Sequence, residues 1–175
     1  MKLYGPLARV LAFAGLAVAT AIAPAPAFAG PAELALLESY VGSWKGRGQL
    51  IGAETETVVC RLSINPGNSG KVNYAGRCAM AGTTLSVNGT LAYVEAARRF
   101  EAAMSSNVAF TGIAVGQRRG DGIVFNLRER QRDEEGKEMT ITAAIALDKS
   151  KILVDFNVVF NQTGDTIKAS VPFTK

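Results

Sequence analysis

Two cysteines, an absence of histidine and a run of alternating arginines restrict the chemistry open to this 175-residue chain. Without histidine there is no Ser-His-Asp or Cys-His machinery, no imidazole metal site and no ordinary general base near neutral pH. Cys60 and Cys78 stand 18 residues apart, a spacing that suits two neighbouring strands. An even cysteine count suggests one disulfide in an exported chain, and two thiolates alone make a poor zinc site, so no metal is expected. Acidic residues gather at turns: Asp133, Glu134 and Glu135 at one hairpin tip, Asp121 and Asp165 at others. A solvated turn accounts for them, and a cation held at 133–135 would need more ligands in fixed geometry. No strand leads through a glycine-rich loop into a helix, the arrangement that cradles phosphate. The residues thus favour binding over catalysis, with no cofactor.

Arg128, Arg130 and Arg132 recur at a spacing of two and share the outward face of one strand, with Glu129 inward or at the rim. Together with the pairs Arg98-Arg99 and Arg118-Arg119 they form a candidate basic patch for an anionic envelope component such as lipid, lipopolysaccharide or polysaccharide. A solvated, edge-protecting face is the plainer account of the same residues. Lys2 and Arg9 supply two of the chain's +4 net charges. The remaining +2 gives little reason to expect nucleic-acid binding.

Those two residues introduce the elements that position everything else. They flank the start of an apolar run from Val10 to Ile22, broken by Pro24 and Pro26 and followed by Ala27-Phe28-Ala29. This order is that of a cleavable secretory signal peptide over residues 1–29, and the run is too short to span a bilayer. No cysteine follows the cleavage position, so no lipoprotein anchor is expected. One domain, 30–175, then works in the periplasm or outside the cell, with no transmembrane segment after cleavage.

Within that domain, Leu34, Leu37, Tyr40 and Val41 keep helical spacing after Pro31, which predicts a short helix over 31–41. From Ser43 the hydrophobic period becomes two, and turn residues arrive at regular intervals. Ten strands are expected, at about 43–51, 54–64, 71–80, 83–94, 98–105, 108–118, 122–131, 137–147, 151–161 and 165–174. The connections leave no room for crossover helices, so pairing should be antiparallel. Closure into an up-and-down barrel removes the exposed edges, giving an all-β fold with one disulfide. Cys60 and Cys78 both fall on the apolar, inward face of adjacent strands.

Leu37 to Gly48 is the most specific segment. A short helix leading into Gly42-Ser43-Trp44 at the first strand resembles the opening of calycin folds, including lipocalins, fatty-acid-binding proteins and nitrobindin-like barrels. The fuller pattern continues through Lys45-Gly46-Arg47-Gly48, Cys60-Arg61 and Arg77-Cys78-Ala79. It is similar to a group of uncharacterised exported alphaproteobacterial proteins, to which no activity is attached. The resemblance implies that Trp44 closes one end of the barrel and that a basic residue of the last strand packs across it. Lys175 stands where lipocalins usually carry arginine. Nitrobindin-like barrels hold haem through histidine, which this chain lacks, leaving only Tyr40, Tyr74 or Tyr93 as conceivable iron ligands.

The expected function is a non-enzymatic barrel that takes a hydrophobic or amphipathic small molecule into its lumen, lined by Trp44, Tyr74, Phe125, Met139 and Phe156. Small inward residues such as Gly76, Gly89, Gly112, Ala143 and Ala169 leave room for it. The alternative is an envelope structural or interaction protein that uses the Arg128, Arg130, Arg132 stripe.

Overall fold

Alternating apolar and polar residues between turns become ten antiparallel strands in a computed structural model, which describes residues 31–80, 82–107, 111–132 and 135–175. The signal-peptide reading of 1–29, and the acidic positions Asp133 and Glu134, lie outside the described residues. Helix α1 (Pro31–Ser39) precedes β1 (Gly42–Ile51), β2 (Thr55–Pro66), β3 (Val72–Met80), β4 (Thr83–Val94) and β5 (Arg99–Ser106). The chain continues through β6 (Thr111–Arg119), β7 (Gly122–Arg132), β8 (Glu138–Leu147), β9 (Ile152–Phe160) and β10 (Thr166–Thr174). Each strand pairs with the next, and β10 returns to β1, closing the barrel. Strand positions agree with the expected ones to within a few residues. The largest differences are that β2 runs on to Pro66 and that β6 is described only from Thr111.

Hairpin chemistry sets the register. Gly120 and Gly82 take the left-handed conformation in the two-residue turns after β6 and β3, at φ +57° and +74°. A side chain is strained there, which is why glycine occupies these turns. With the register fixed, every strand presents one set of alternate residues to the inside.

Cys60 and Cys78 lie directly opposite one another on β2 and β3 and form the disulfide, with Cα atoms 4.0 Å apart. Their inward placement agrees with the alternation of both strands. Neither cysteine remains free among the described residues.

Closure between β1 and β10 depends on glycine. A Cβ at Gly48 would stand 2.0 Å from the carbonyl oxygen of Ser170, and one at Gly46 would stand 2.7 Å from the Phe173 ring. The missing side chains let β10 lie against β1, with Phe173 folded over the Gly46 backbone.

Helix α1 covers one end. Leu37, Tyr40 and Trp44 are fully buried there, beside Ile64, Val72, Phe100, Ile123, Phe125, Leu147, Ile152 and Phe173. Trp44 Nε1 donates to the carbonyl of Tyr40 at 2.9 Å, and the Tyr40 hydroxyl donates to the Leu147 carbonyl at 3.2 Å. These bonds tie the turn between α1 and β1 to the far wall. Lys175 Nζ sits 4.9 Å from the Trp44 ring centroid and donates to the Ser39 carbonyl, so the last residue packs across the tryptophan as the calycin resemblance implies. Among the described residues no helix is long and apolar enough to cross a membrane.

Replacing both cysteines with alanine should lower stability by about 3 kcal/mol, the chain-entropy cost of releasing an 18-residue loop. Urea unfolding with and without reductant measures it: the reduced wild type should match the double variant.

Candidate functional site

The inner face changes character along the barrel axis. At the α1 end the inward residues are sealed: Trp44 and Phe125 are buried to 1% and 0% exposure, and Phe100 meets Phe125 edge-on at 6.5 Å. Towards the opposite end the inward residues are apolar, with Val58, Ile141 and Val158 buried and others only partly covered. Met80, Met139, Phe156, Phe160 and Ile167 pack against the core there while keeping accessible surface. The α1 end of the lumen is therefore plugged, while part of the inward apolar surface towards the ends of β1, β3, β7 and β9 stays only partly covered.

The five lumen residues expected from the sequence divide along this boundary. Trp44 and Phe125 belong to the sealed half. Tyr74, opposite Ile64 and through it Gly42, also stands at the α1 end but is only half-buried, and Met139 and Phe156 belong to the opposite half. Tyr74 reaches from β3 across β4, where its hydroxyl donates to the Ala103 carbonyl of β5 at 3.2 Å. The crossing requires a glycine beneath it: a Cβ at Gly89 would stand 2.6 Å from the phenol oxygen and 1.9 Å from the Ala103 carbonyl oxygen. With both hydroxyls bonded to backbone carbonyls, Tyr40 and Tyr74 serve the wall as well as the interior. Tyr93 packs its ring 5.0 Å from Phe100.

Two further features line the lumen, built on Met104, Glu56 and Glu129, of which only Glu129 was expected from the sequence, inward or at the rim. Met104 faces inward beside the small Gly112, and this inward place follows from the alternation of β5. Glu56 and Glu129 face inward near the mouth on β2 and β7, the only inward carboxylates on the described strands. Glu129 lies against Gly112 on the neighbouring strand. The mouth is thus apolar with acidic points on its rim. Among the described residues no cluster of three or more His, Cys, Asp or Glu side chains could hold a metal ion.

Two open spaces adjoin the half opposite α1. One, of about 930 Å³, lies at the mouth between Gly52, Ala53, Lys137, Glu138, Phe160, the 162–166 loop and Ile167. The other, of about 860 Å³, is a groove on the outer wall over β7, β8, β9, β10 and β1. Its lining includes the exposed Asp155, Lys168 and Ser170 and no residue of β2 to β6, so it lies outside the lumen. Asn157 sits in its wall, and its Oδ1 is buried without a hydrogen-bond partner. Consecutive residues from five strands line the groove, a pattern with no periodic signal in the sequence.

Arg128, Arg130 and Arg132 face outward from β7 as expected, opposite Thr142, Thr140 and Glu138 of β8. Arg132 is held by Glu138 at 3.0 Å, so the stripe is neutralised at one end.

Burial drives the Tyr74 phenol pKa well above its ordinary value, and burial followed by the nearby Asp148 charge pushes Tyr40 up to about 12. Both side chains ionise near 10 when unfolded. The stability tied to their neutral forms is fully present below pH 10 and declines as pH rises past it, through about 12 for Tyr40. Unfolding free energy should fall by up to about 1.4 kcal/mol per pH unit per tyrosine in that window. Tyr40→Phe should flatten this slope in urea titrations above pH 10; an unchanged slope would remove Tyr40 as a cause.

The chain matches no protein-family model and no curated protein. Among solved structures it is similar to Rv2717c from M. tuberculosis, at a TM-score of 0.65 and 17% identity, covering 83% of this chain and 98% of that one. It is also similar to the S-type phycobiliprotein lyase CPES from Guillardia theta, at a TM-score of 0.54 and 10% identity, covering 81% and 90%. At these identities the likeness is one of fold. It bears out the calycin-like barrel implied by the Gly42-Ser43-Trp44 opening.

Proposed function

We propose that this protein is an exported, non-enzymatic barrel that binds a hydrophobic or amphipathic small molecule in the half of its lumen opposite α1. The observation that carries this reading is the gradient along the inner face. Met80, Met139, Phe156 and Phe160 are inward, apolar and still accessible beside the buried Val58, Ile141 and Val158, whereas the α1 end is closed by fully buried aromatics. A folded protein gains by covering such surface, and a ligand covers it without changing the fold. Methionines suit a site that adapts to its occupant. Trp44, Phe125 and Tyr74 act in this reading as the floor of the chamber, and Met139 and Phe156 as its wall. The phycobiliprotein lyase shares the fold, which supports a barrel of this kind as a small-molecule host.

Export is part of the proposal. Its support is the signal-like order of residues 1–29 and the disulfide between Cys60 and Cys78, a bond that persists in oxidising compartments. Kinship with exported alphaproteobacterial proteins belongs to the same reading and rests on the Gly-x-Trp-x-Gly-x-Gly, Cys-Arg and Arg-Cys-Ala segments. The alternative, an envelope contact through the β7 arginines, draws on Arg128 and Arg130, since Arg132 is paired.

The test is a thermal-shift screen of the purified protein against fatty acids, isoprenoids and haem. A ligand present at a hundred times its Kd adds about 2.7 kcal/mol, which raises Tm by several degrees in a chain of this size. Phe156→Ala should weaken a binding partner about tenfold, from the lost apolar contact. No shift with any class, or a shift that Phe156→Ala and Met139→Ala leave intact, would overturn lumen binding.

A further inference from the structure

Facing positions on the outer wall divide the barrel into two arcs of different charge. On β10, β1, β2, β3 and β4 the outward residues include Lys168, Lys45, Arg47, Arg61 and Arg77 and not one carboxylate. The arc from β5 to β9 carries Glu101, Glu138 and Asp155 among its outward residues. Two of the four ion pairs seen among the described residues, Arg99–Glu101 and Arg132–Glu138, lie on strands of that second arc.

The cations of the first arc are not scattered. Lys45 stands directly opposite Arg61, and Arg61 directly opposite Arg77, so three positive side chains form one row across β1, β2 and β3. Strands lie ~4.8 Å apart, which puts each cation beside its neighbour. Like charges placed directly opposite destabilise a sheet. All of Lys45, Arg47, Arg61 and Arg77 are exposed, and none forms an ion pair among the described residues. The disulfide lies one residue away, joining Cys60 to Cys78 on the inner side of the same two strands. A covalent bond thus holds the two arginines in register against their repulsion.

Apolar side chains share this wall. Val59 is outward, 48% exposed and directly opposite Arg47; Ile51 is outward and 50% exposed at the mouth end of β1. They are two of the three exposed large hydrophobics among the described residues. Cations interspersed with exposed apolar groups match the interface of a bilayer, where the charges meet headgroup phosphates and the apolar groups meet the acyl boundary. A soluble polyanion would use the cations and leave Val59 and Ile51 in water.

We propose that the outer face of β1, β2 and β3 docks this protein on an anionic phospholipid surface through Lys45, Arg47, Arg61 and Arg77, with Val59 at the membrane boundary. The face is distinct from the β7 stripe and from the lumen. A barrel seated this way keeps its mouth, edged by Ile51, next to the lipid.

Flotation with lipid vesicles tests it. The protein should float with phosphatidylcholine vesicles containing about a third phosphatidylglycerol at low salt, and should be released at high salt or with phosphatidylcholine alone. Arg61→Ser with Arg77→Ser should weaken that binding about thirtyfold, at roughly a tenth to a fifth of the affinity remaining per cation removed. Val59→Ser should weaken it several-fold, whereas Arg128→Ser with Arg130→Ser should bind as wild type does. The double Arg61/Arg77 variant should melt no lower than wild type, because it relieves a repulsion, which separates lost docking from lost fold. Binding that ignores lipid charge, or that survives the double substitution, would overturn the proposal. So would retention on soluble heparin through the same residues with no flotation, which would make the face a polyanion site instead.

Discussion

The pairing of β1 with β10 is the one ladder in this barrel that no hairpin supplies, and the rest of the architecture depends on it. Nine ladders join strands that follow one another in the chain, so local turns bring them together at small entropic cost. The tenth must bring the two ends of the sheet into contact. Gly46 and Gly48 remove the side chains that would strike Phe173 and Ser170, and Lys175 then reaches back to Trp44 and Ser39 across 136 residues. Without that seam there would be two unpaired edges and no enclosed space. The cationic arc on the outside would also be cut, since it runs across β10 and β1 without a break.

Closure alone does not make a chamber; the unequal filling of the two halves does. Bulky side chains concentrate where α1 caps the barrel, with Trp44, Tyr40, Phe100 and Phe125 filling the space. In the other half the inward positions mix small residues, such as Gly112 and Ala143, with buried branched ones, such as Val58, Ile141 and Val158, and partly covered long ones, such as Met80 and Met139. The long side chains there keep accessible surface, and methionine adapts to what it packs against. The α1 end is therefore the more fully packed, and the other end adds accessible apolar surface to its share of the core.

This division explains which parts of the molecule could be read in the sequence. Period-two alternation and glycine turns carried the strands, their faces and the cysteine pair, because local sterics decide all of these. The Gly42-Ser43-Trp44 opening carried the capped end. Alternation placed Trp44 and Phe125 on the same face as Tyr74 and Phe156, but could not tell which level of the barrel each would occupy. That depends on which end the helix covers and on how strands are staggered, both of which are properties of the closed sheet. The outer groove was invisible for a related reason: neighbouring residues from five separate strands build it, and its lining ignores the inward and outward alternation.

The cationic wall had a signal that becomes legible only through the disulfide. Cys60 is followed by Arg61 and Cys78 is preceded by Arg77, so any antiparallel pairing that opposes the cysteines must also oppose the arginines. Sliding β3 by two residues would preserve the inward faces and set Arg61 against Ala75 or Ala79, both outward, which would end the repulsion. The S–S bond forbids that slip. The same bond that fixes the inner wall of the lumen therefore fixes two guanidinium groups side by side on the outer wall. A sequence selected only for a stable barrel had an alanine within two residues on either side with which to avoid it.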